Sequence, residues 1–353
     1  MSLLEITDLK TYYRANGGWV RATDGVSLSV DRGETVGLVG ESGSGKTTLA
    51  KSIIRLFPKN AEIIDGSINY DGTEITELTD RQLRKQIRWS EISMIPQNAM
   101  NGFDPVYTVG DQIIEVIRYH EDGTSKKEAR ERARELFNEL GIEPDRIDDY
   151  PHQFSGGMAQ RAMIALALCL SPSIILADEP TTALDVVIQD RILETIKEKQ
   201  REINSAMIMI THDMSVVSET CDRIAVVYGG RVVEIADAET IIMNPRHPYT
   251  LGLRNAFPDI SDEDKDLISI PGTPPDLVDP EEGCRFAPRC PFATEECWEV
   301  TPEAEDYGDG HMVECHRADE IEYLQEEAAK KETWMEQEIG RPDETPPEVT
   351  SDD

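Results

Sequence analysis

Glu34-Thr35-Val36-Gly37-Leu38-Val39 runs directly into Gly40-Glu41-Ser42-Gly43-Ser44-Gly45-Lys46-Thr47 and then into an apolar-periodic stretch, residues 48–57, that ends before Pro58. The first piece is apolar enough to lie buried in a parallel sheet, and the last reads as a helix. Strand, glycine-rich turn and helix in that order fit G-x-x-x-x-G-K-S/T. The glycines let successive backbone N–H groups turn inward around phosphates, and the helix amino end adds a favourable dipole. Lys46 brings a point charge to the β and γ phosphates, and Thr47 a hydroxyl for Mg²⁺. A surface loop matching by chance would lack these flanking elements. The loop alone establishes only nucleotide binding, at Gly40, Ser42, Gly43, Ser44, Gly45, Lys46, Thr47 and Thr48.

On the amino-terminal side of the turn, residues 3–39 are rich in short β patterns. On its carboxyl-terminal side the pattern turns helical across residues 98–170, with amphipathic stretches at 111–119 and 125–140, the latter stopped by Gly141. Strand signals return at 173–177 and 206–210 around a helical stretch at 186–202. A hairpin is expected from residues 223–228, Gly229-Gly230 and 231–234. These alternations predict an α/β domain over residues 1–240 with a helical insertion. A Pro-, Cys- and acid-rich segment follows at 241–318, and a charged tail at 319–353 is expected to be disordered or a frayed helix.

The chain has 353 residues, and 69 Asp+Glu against 35 Lys+Arg give a net charge of −34. With 39% hydrophobic residues it still fills a core, which excludes wholesale disorder. The tail holds 13 acids and 3 bases, about a third of the surplus, so the rest is spread along the chain. Most cations are Arg. The balance fits a surface solvated in concentrated salt, as in a halophilic archaeon, where a Debye length of about 3 Å at 1 M screens the self-repulsion. Repulsion of polyanions is the other reading. No apolar run approaches the 18 to 20 residues that span a bilayer, and Met1-Ser2-Leu3-Leu4-Glu5 lacks the basic start of a signal peptide, so a cytosolic chain is expected.

The strand at 174–177 ends in Asp178-Glu179, two carboxylates at the sheet edge where open α/β folds bind ligands. Asp178 is expected to hold the Mg²⁺ shell and Glu179 to orient or deprotonate the water that attacks the γ-phosphate. A helix cap is the plainer reading of the pair. It is weaker downstream of a phosphate loop, because Lys46 alone cannot neutralise a nucleotide.

Phe154-Ser155-Gly156-Gly157-Met158-Ala159-Gln160-Arg161 resembles the signature segment of the ATP-binding-cassette family. Gln97 stands in the Q-loop place, Ala183-Leu184-Asp185 is similar to the D-loop, and His212 in Thr211-His212-Asp213 to the switch histidine. The resemblance implies an α/β fold: a P-loop NTPase (RecA-like) core with an antiparallel β subdomain and a helical subdomain. It implies an ATP hydrolase that works as a head-to-tail pair of cassettes. Glu179, His212 and Gln97 would be catalytic, and Thr47, Gln97 and Asp178 would hold Mg²⁺. Ser155, Gly156, Gly157, Gln160 and Asp185 would face nucleotide held by the partner cassette. An aromatic is expected to stack on adenine; Tyr13 is the choice and Trp19 its rival.

A narrower resemblance lies in Asn244-Pro245-Arg246-His247-Pro248-Tyr249-Thr250, Pro271-Gly272-Thr273-Pro274-Pro275 and Cys284-Arg285-Phe286-Ala287-Pro288-Arg289-Cys290-Pro291. These stretches are similar to the carboxyl-terminal extension of oligopeptide/dipeptide importer ATPases. Four of six cysteines, Cys284, Cys290, Cys297 and Cys315, fall in this region, while Cys169 and Cys221 sit in predicted core elements. Their spacing does not match the short C-x-x-C knuckles usual for zinc, and a cytosolic chain argues against disulfides. Some relatives with this extension carry a four-iron four-sulfur (4Fe-4S) cluster, so the resemblance implies one here, and a Cys₄ set suits it. Zinc, with His311 or His316 substituting, and plain thiols remain as alternatives.

The resemblance implies ATP and Mg²⁺ as cofactors and a peripheral place on the cytoplasmic face of the membrane. Its implied partners are two membrane permease subunits, a second cassette ATPase (sister or self) and, indirectly, an extracellular solute-binding protein. The permease would dock near Gln97 and residues 98–109. Nickel importers share parts of the pattern. A soluble cassette ATPase acting on nucleic acid or ribosomes is opposed by the lack of a basic stripe, a coiled coil or a second cassette.

Overall fold

The structure, a computed structural model, describes residues 2–181, 186–256 and 268–335. Its centre is β3 (Thr35–Val39), whose five residues are all buried. Beside it lie β8 (Ala206–Thr211), then β7 (Ile174–Asp178), then β6 (Ile92–Ile95), all parallel. On the other side β9 (Arg223–Tyr228) is parallel to β3, and β10 (Arg231–Asp237) closes the expected hairpin antiparallel to β9.

These strands read as continuous apolar runs because both faces of the sheet are covered. Val36, Leu38, Ile174, Leu176, Ile208 and Ile210 point to one core, with Leu49 and Ile53 of α1 (Lys46–Ile53). Val39, Ile175, Ala177, Met207 and Met209 point to the other, which the helical layer covers. The period-2 alternation thus divides between two hydrophobic clusters rather than between core and water.

The first core is roofed by an antiparallel sheet of order β2-β1-β4-β5, formed by β1 (Ser2–Ala15), β2 (Gly18–Asp31), β4 (Ala61–Tyr70) and β5 (Thr73–Glu74). The short α2 (Asp80–Gln86), capped by Thr79, precedes β6. The helical insertion consists of α3 (Val109–His120), α4 (Lys126–Glu139) and α5 (Gly156–Leu168). Ser125-Lys126-Lys127-Glu128 explains where α4 starts: Ser125 Oγ accepts the Glu128 N–H at 3.2 Å and Glu128 Oε2 accepts the Ser125 N–H at 2.9 Å. Such a cap contributes about 1 kcal/mol. Helices α6 (Val186–Glu202) and α7 (Met214–Thr220) connect the remaining central strands.

Residue 240 is no break in packing. After α8 (Ala238–Met243) and α9 (Pro248–Ala256), the chain forms α10 (Glu295–Glu299), β11 (Glu305–Asp306) and β12 (Met312–Val313). Strand β12 pairs with β10, so the carboxyl-terminal segment extends the main sheet to eight strands. The expectation of a disordered or frayed tail from 319 is corrected as far as residue 335. Helices α11 (Ile321–Ala328) and α12 (Lys331–Met335) bury Leu324, Ala328 and Trp334 in the second core. Leu324 and Ala328 lie one helical turn apart and share a face, a signal masked by the acids around them. Residues 336–353 lie outside the described residues.

Candidate active site

The carboxyl ends of four adjacent parallel strands, β3, β8, β7 and β6, meet at one edge of the sheet. Each delivers one part of the site. After β3 the loop Gly40 to Thr47 turns into α1. Gly40 has φ +155°, and a Cβ there would stand 2.1 Å from the Val227 carbonyl; Gly45 has φ +104°, and a Cβ there 2.0 Å from the Ala22 carbonyl. Both positions exclude a side chain because backbone on the opposite side presses against the loop. Ser42 and Gly43 are exposed at its tip, and Ser44 is buried beneath. Lys46 Nζ donates to the carbonyls of Gly40 and Glu41, both at 2.7 Å, and to Ser44 Oγ at 3.2 Å. Burial lowers its pKa to about 8, against the opposing pull of Glu179, Asp178 and Glu41.

Thr47 Oγ1 donates to Asp178 Oδ1 at 3.0 Å, so the hydroxyl of the loop and the carboxylate ending β7 stand together. Burial raises the Asp178 pKa, and the Thr47 hydrogen bond lowers it. Thr47 and Asp178 are the residues that would hold a divalent cation, whose charge would relieve the desolvated carboxylate. Glu179 follows in the left-handed region, φ +46°, with its N–H donated to the Ile210 carbonyl at 2.9 Å. That conformation is uncommon for glutamate and turns it out of the strand direction. Its carboxylate accepts Gln97 Nε2 at 2.7 Å on Oε2 and meets His212 Nδ1 at 3.3 Å on Oε1. Gln97 follows β6 and is partnered here with Glu179 rather than with the Thr47–Asp178 pair. His212 follows β8, and its side chain is 69% exposed. The arrangement can hold a phosphate chain and a cation on one side and a water beside a carboxylate on the other.

Tyr13 Oη lies 3.2 Å from Thr48 Oγ1, which places its ring beside the amino end of α1. The rival Trp19 instead lies under the Arg14 guanidinium, 5.1 Å from the ring centroid.

Ser155 caps α5, accepting the Met158 N–H at 3.4 Å, and is exposed with Gly156, while Gly157 is half-buried. No described hydrogen bond links this turn to the loop around Lys46. Gln160 is 4% exposed and its Nε2 has no hydrogen-bond partner among the described residues. It lies one turn into α5, on the buried side of the helix start. Asp185 lies outside the described residues.

Cys284, Cys290, Cys297 and Cys315 all line one narrow cavity, together with His247 and His316. The four cysteines are free thiols. Burial pushes Cys284 up to about 11, Cys315 up to about 12 and Cys290 well above its ordinary value, and the sulfurs repel one another's ionisation. Among the described residues no three His, Cys, Asp or Glu form a group able to hold a metal ion. His311, an expected substitute ligand, hydrogen-bonds Glu234 at 2.7 Å instead. His247 Nδ1 accepts the Tyr249 N–H at 3.0 Å, which leaves the proton on Nε2, and that buried atom has no partner among the described residues.

Sequence reasoning missed the contacts between the carboxyl-terminal segment and the phosphate loop. Tyr249 Oη accepts the Glu41 N–H at 2.9 Å, and Arg289 donates to both Glu41 carboxylate oxygens at 2.6 and 2.9 Å. The only signal was that Tyr249 and Arg289 fall inside two conspicuous motifs.

Among the described residues no helix is long and apolar enough to cross a membrane. Residues 23–182 match the family model "ABC transporter", and residues 233–297 match "Oligopeptide/dipeptide transporter, C-terminal region". The oligopeptide transport ATP-binding protein AppD of Bacillus subtilis is 44% identical over 317 residues, covering 89% of this chain and 96% of that protein. The dipeptide transport ATP-binding protein DppD of Escherichia coli is 41% identical over 319 residues, covering 90% and 97%. Among solved structures, the dimeric post-hydrolysis state of the ATP-binding cassette MJ0796, bound to ADP and Pi, aligns with a TM-score of 0.61 at 29% identity, over 67% of this chain and 98% of that one.

Proposed function

This chain belongs to the ABC transporter family, in its oligopeptide/dipeptide branch, and from that premise we propose that it is the ATPase subunit that energises import of di- and oligopeptides through a membrane permease. The carrying observation is the convergence of Lys46, Thr47–Asp178 and Gln97–Glu179–His212 at four neighbouring strand ends. Lys46 and the loop amides hold the ATP phosphates, and Thr47 with Asp178 holds Mg²⁺. Glu179 polarises the attacking water, oriented by Gln97 and His212. Tyr13 stacks on adenine.

The exposed helix start at Ser155-Gly156-Gly157 grips the triphosphate held by a second cassette, sister or self, with Asp185 across the interface. ATP binding closes this pair and hydrolysis releases it. The chain works peripherally on the cytoplasmic face with two permease subunits; a solute-binding protein delivers the peptide outside. Exposed Val106 and Tyr107, within the segment that follows Gln97, support the permease contact. Loss of labelled dipeptide uptake in cells whose only copy carries Glu179→Gln tests the reading. Intact peptide uptake with lost nickel uptake would replace it by the nickel-importer alternative.

The four cysteines suit a 4Fe-4S cluster in kind: four thiols border one cavity with His247, whose buried Nε2 has no partner among the described residues, a donor set for an anionic, sulfur-rich group. Cys284, Cys290, Cys297 and Cys315 would be its ligands, and loading would draw their side chains together. When bound it would cross-link four points of the carboxyl-terminal segment. Anaerobic purification should yield about four irons and four sulfides per chain; one zinc without sulfide would make the site a zinc staple. The charge of −34 supports origin in a halophilic cell.

A further inference from the structure

Glu41 is the second residue of the phosphate loop, and a carboxylate there is an electrostatic liability. It adds negative charge where a triphosphate must bind, and it interacts with the Lys46 ammonium. The loop does not manage this charge by itself. Arg289, from the carboxyl-terminal segment, spans both carboxylate oxygens at 2.6 and 2.9 Å. Its side chain is 5% exposed, and it is fixed from behind by Nε donating to the Pro271 carbonyl at 2.7 Å and by Nη1 donating to Tyr228 Oη at 3.3 Å. A guanidinium held on three sides has one orientation, so the carboxylate it grips has one as well. Tyr249, from the same segment, takes the Glu41 N–H at 2.9 Å. The Glu41 carbonyl in turn accepts Lys46 Nζ at 2.7 Å. Amide, carboxylate and carbonyl of one loop residue are therefore each engaged, two of them from outside the cassette motifs.

We propose that Arg289 is a positioning residue for ATP binding: it neutralises Glu41 and, with Tyr249, fixes the first turn of the phosphate loop, so that the carboxyl-terminal segment sets the nucleotide affinity of the site. Arg289 immediately precedes Cys290, and Tyr249 lies two residues beyond His247. Each therefore lies next in sequence to a residue that lines the four-cysteine cavity, Cys290 and Pro248 respectively. The inference rests on the reading of the loop as an ATP site.

The test is calorimetric titration of ATP–Mg²⁺ into the full chain at fixed ionic strength, with four variants beside the wild type. Arg289→Gln leaves the Glu41 charge uncompensated and raises Kd about tenfold. Glu41→Gln removes the charge together with its need for a partner and changes Kd by less than about threefold. The double variant Glu41→Gln/Arg289→Gln returns to within about threefold of wild type, a rescue that loss of packing alone would not give. Arg289→Lys keeps the charge but loses the fork that orients the carboxylate, so it raises Kd about threefold, less than Arg289→Gln, and this preserves the test if Arg289→Gln fails to fold. In steady-state hydrolysis Arg289→Gln raises KM for ATP and leaves kcat at saturation largely intact. Wild-type affinity for Arg289→Gln, a double variant no better than the single one, or Arg289→Lys with wild-type affinity would each overturn the proposal. Wild-type chain that binds no ATP would instead overturn the reading of the loop.

Discussion

Replacing Glu179 by Gln separates chemistry from binding at this site, because the two side chains have the same shape. In the wild type one carboxylate oxygen accepts Gln97 Nε2 at 2.7 Å and the other meets His212 Nδ1 at 3.3 Å. A carboxamide keeps one oxygen in place, so one of these contacts persists unchanged. The other is restored by rotating the Gln97 amide or by the other His212 tautomer, at a cost of at most one hydrogen bond, about 1 kcal/mol. The backbone at this position, held in the left-handed region by its N–H bond to Ile210, is unaffected. What disappears is a base and a negative charge. Loss of a positioned base lowers turnover by roughly 10²- to 10⁴-fold, or about 2.7 to 5.4 kcal/mol of barrier. Loss of the charge removes repulsion of the phosphates, so ATP affinity is unchanged or higher. Phosphate release at saturating ATP–Mg²⁺ reads the first quantity, and gel filtration of the ATP-loaded variant shows whether a closed pair accumulates. Turnover within about threefold of wild type would refute the role of Glu179, and simultaneous loss of ATP binding would refute the claim that the site geometry survives.

Thr47→Ala leaves the buried Asp178 carboxylate without its 3.0 Å partner; thermal unfolding without nucleotide should register a loss of about 1 to 2 kcal/mol, and ATP binding should require more Mg²⁺, whereas Thr47→Ser restores both. Gly45→Ala drives a Cβ to 2.0 Å from the Ala22 carbonyl and should abolish ATP binding, while Gly43→Ala, at φ +81° with open space around it, should cost only about 1 kcal/mol and retain binding; equal effects in a binding titration would contradict the loop geometry. Lys46 has a folded-state pKa of about 8 against 10.5 for the free side chain, so between these values the empty folded chain holds fewer protons than the unfolded one. Its stability contribution therefore rises with pH across that window as the buried ammonium is discharged, while ATP affinity, which needs the charge, falls about tenfold per unit above pH 8. A flat affinity profile from pH 7 to 9.5, measured in two buffers to count protons taken up, would rule this out.

Much of the catalytic half was legible in the chain because its chemistry is local. Gly40 to Thr47 must follow a buried strand and open a helix, and Asp178-Glu179 must end an apolar run; spacing alone carries those statements. The two-sided burial of the central strands likewise follows from runs such as Ile174-Ile175-Leu176-Ala177, which no half-exposed strand would show. What spacing cannot carry is which strand lies beside which. That Gln97, Glu179 and His212 share one hydrogen-bonded cluster depends on the order β3-β8-β7-β6, a property of the folded sheet.

The carboxyl-terminal half was less legible, for a related reason. Its motifs were visible, but Arg289 and Glu41 are 248 residues apart, and nothing in either neighbourhood names the other. Gln160 is placed by the sequence on α5, but its burial there is set by tertiary packing that spacing does not name. The order of α11 was hidden by its acids, which sit on the solvent side while Leu324 and Ala328 reach the core. The sequence by itself determined the chemistry available to this protein, since residue type and local spacing decide what can bind phosphate, metal or water. Only the tertiary structure decided the coupling, because charges and hydrogen bonds act through space, and the fold alone brings the carboxyl-terminal segment against the loop that grips ATP.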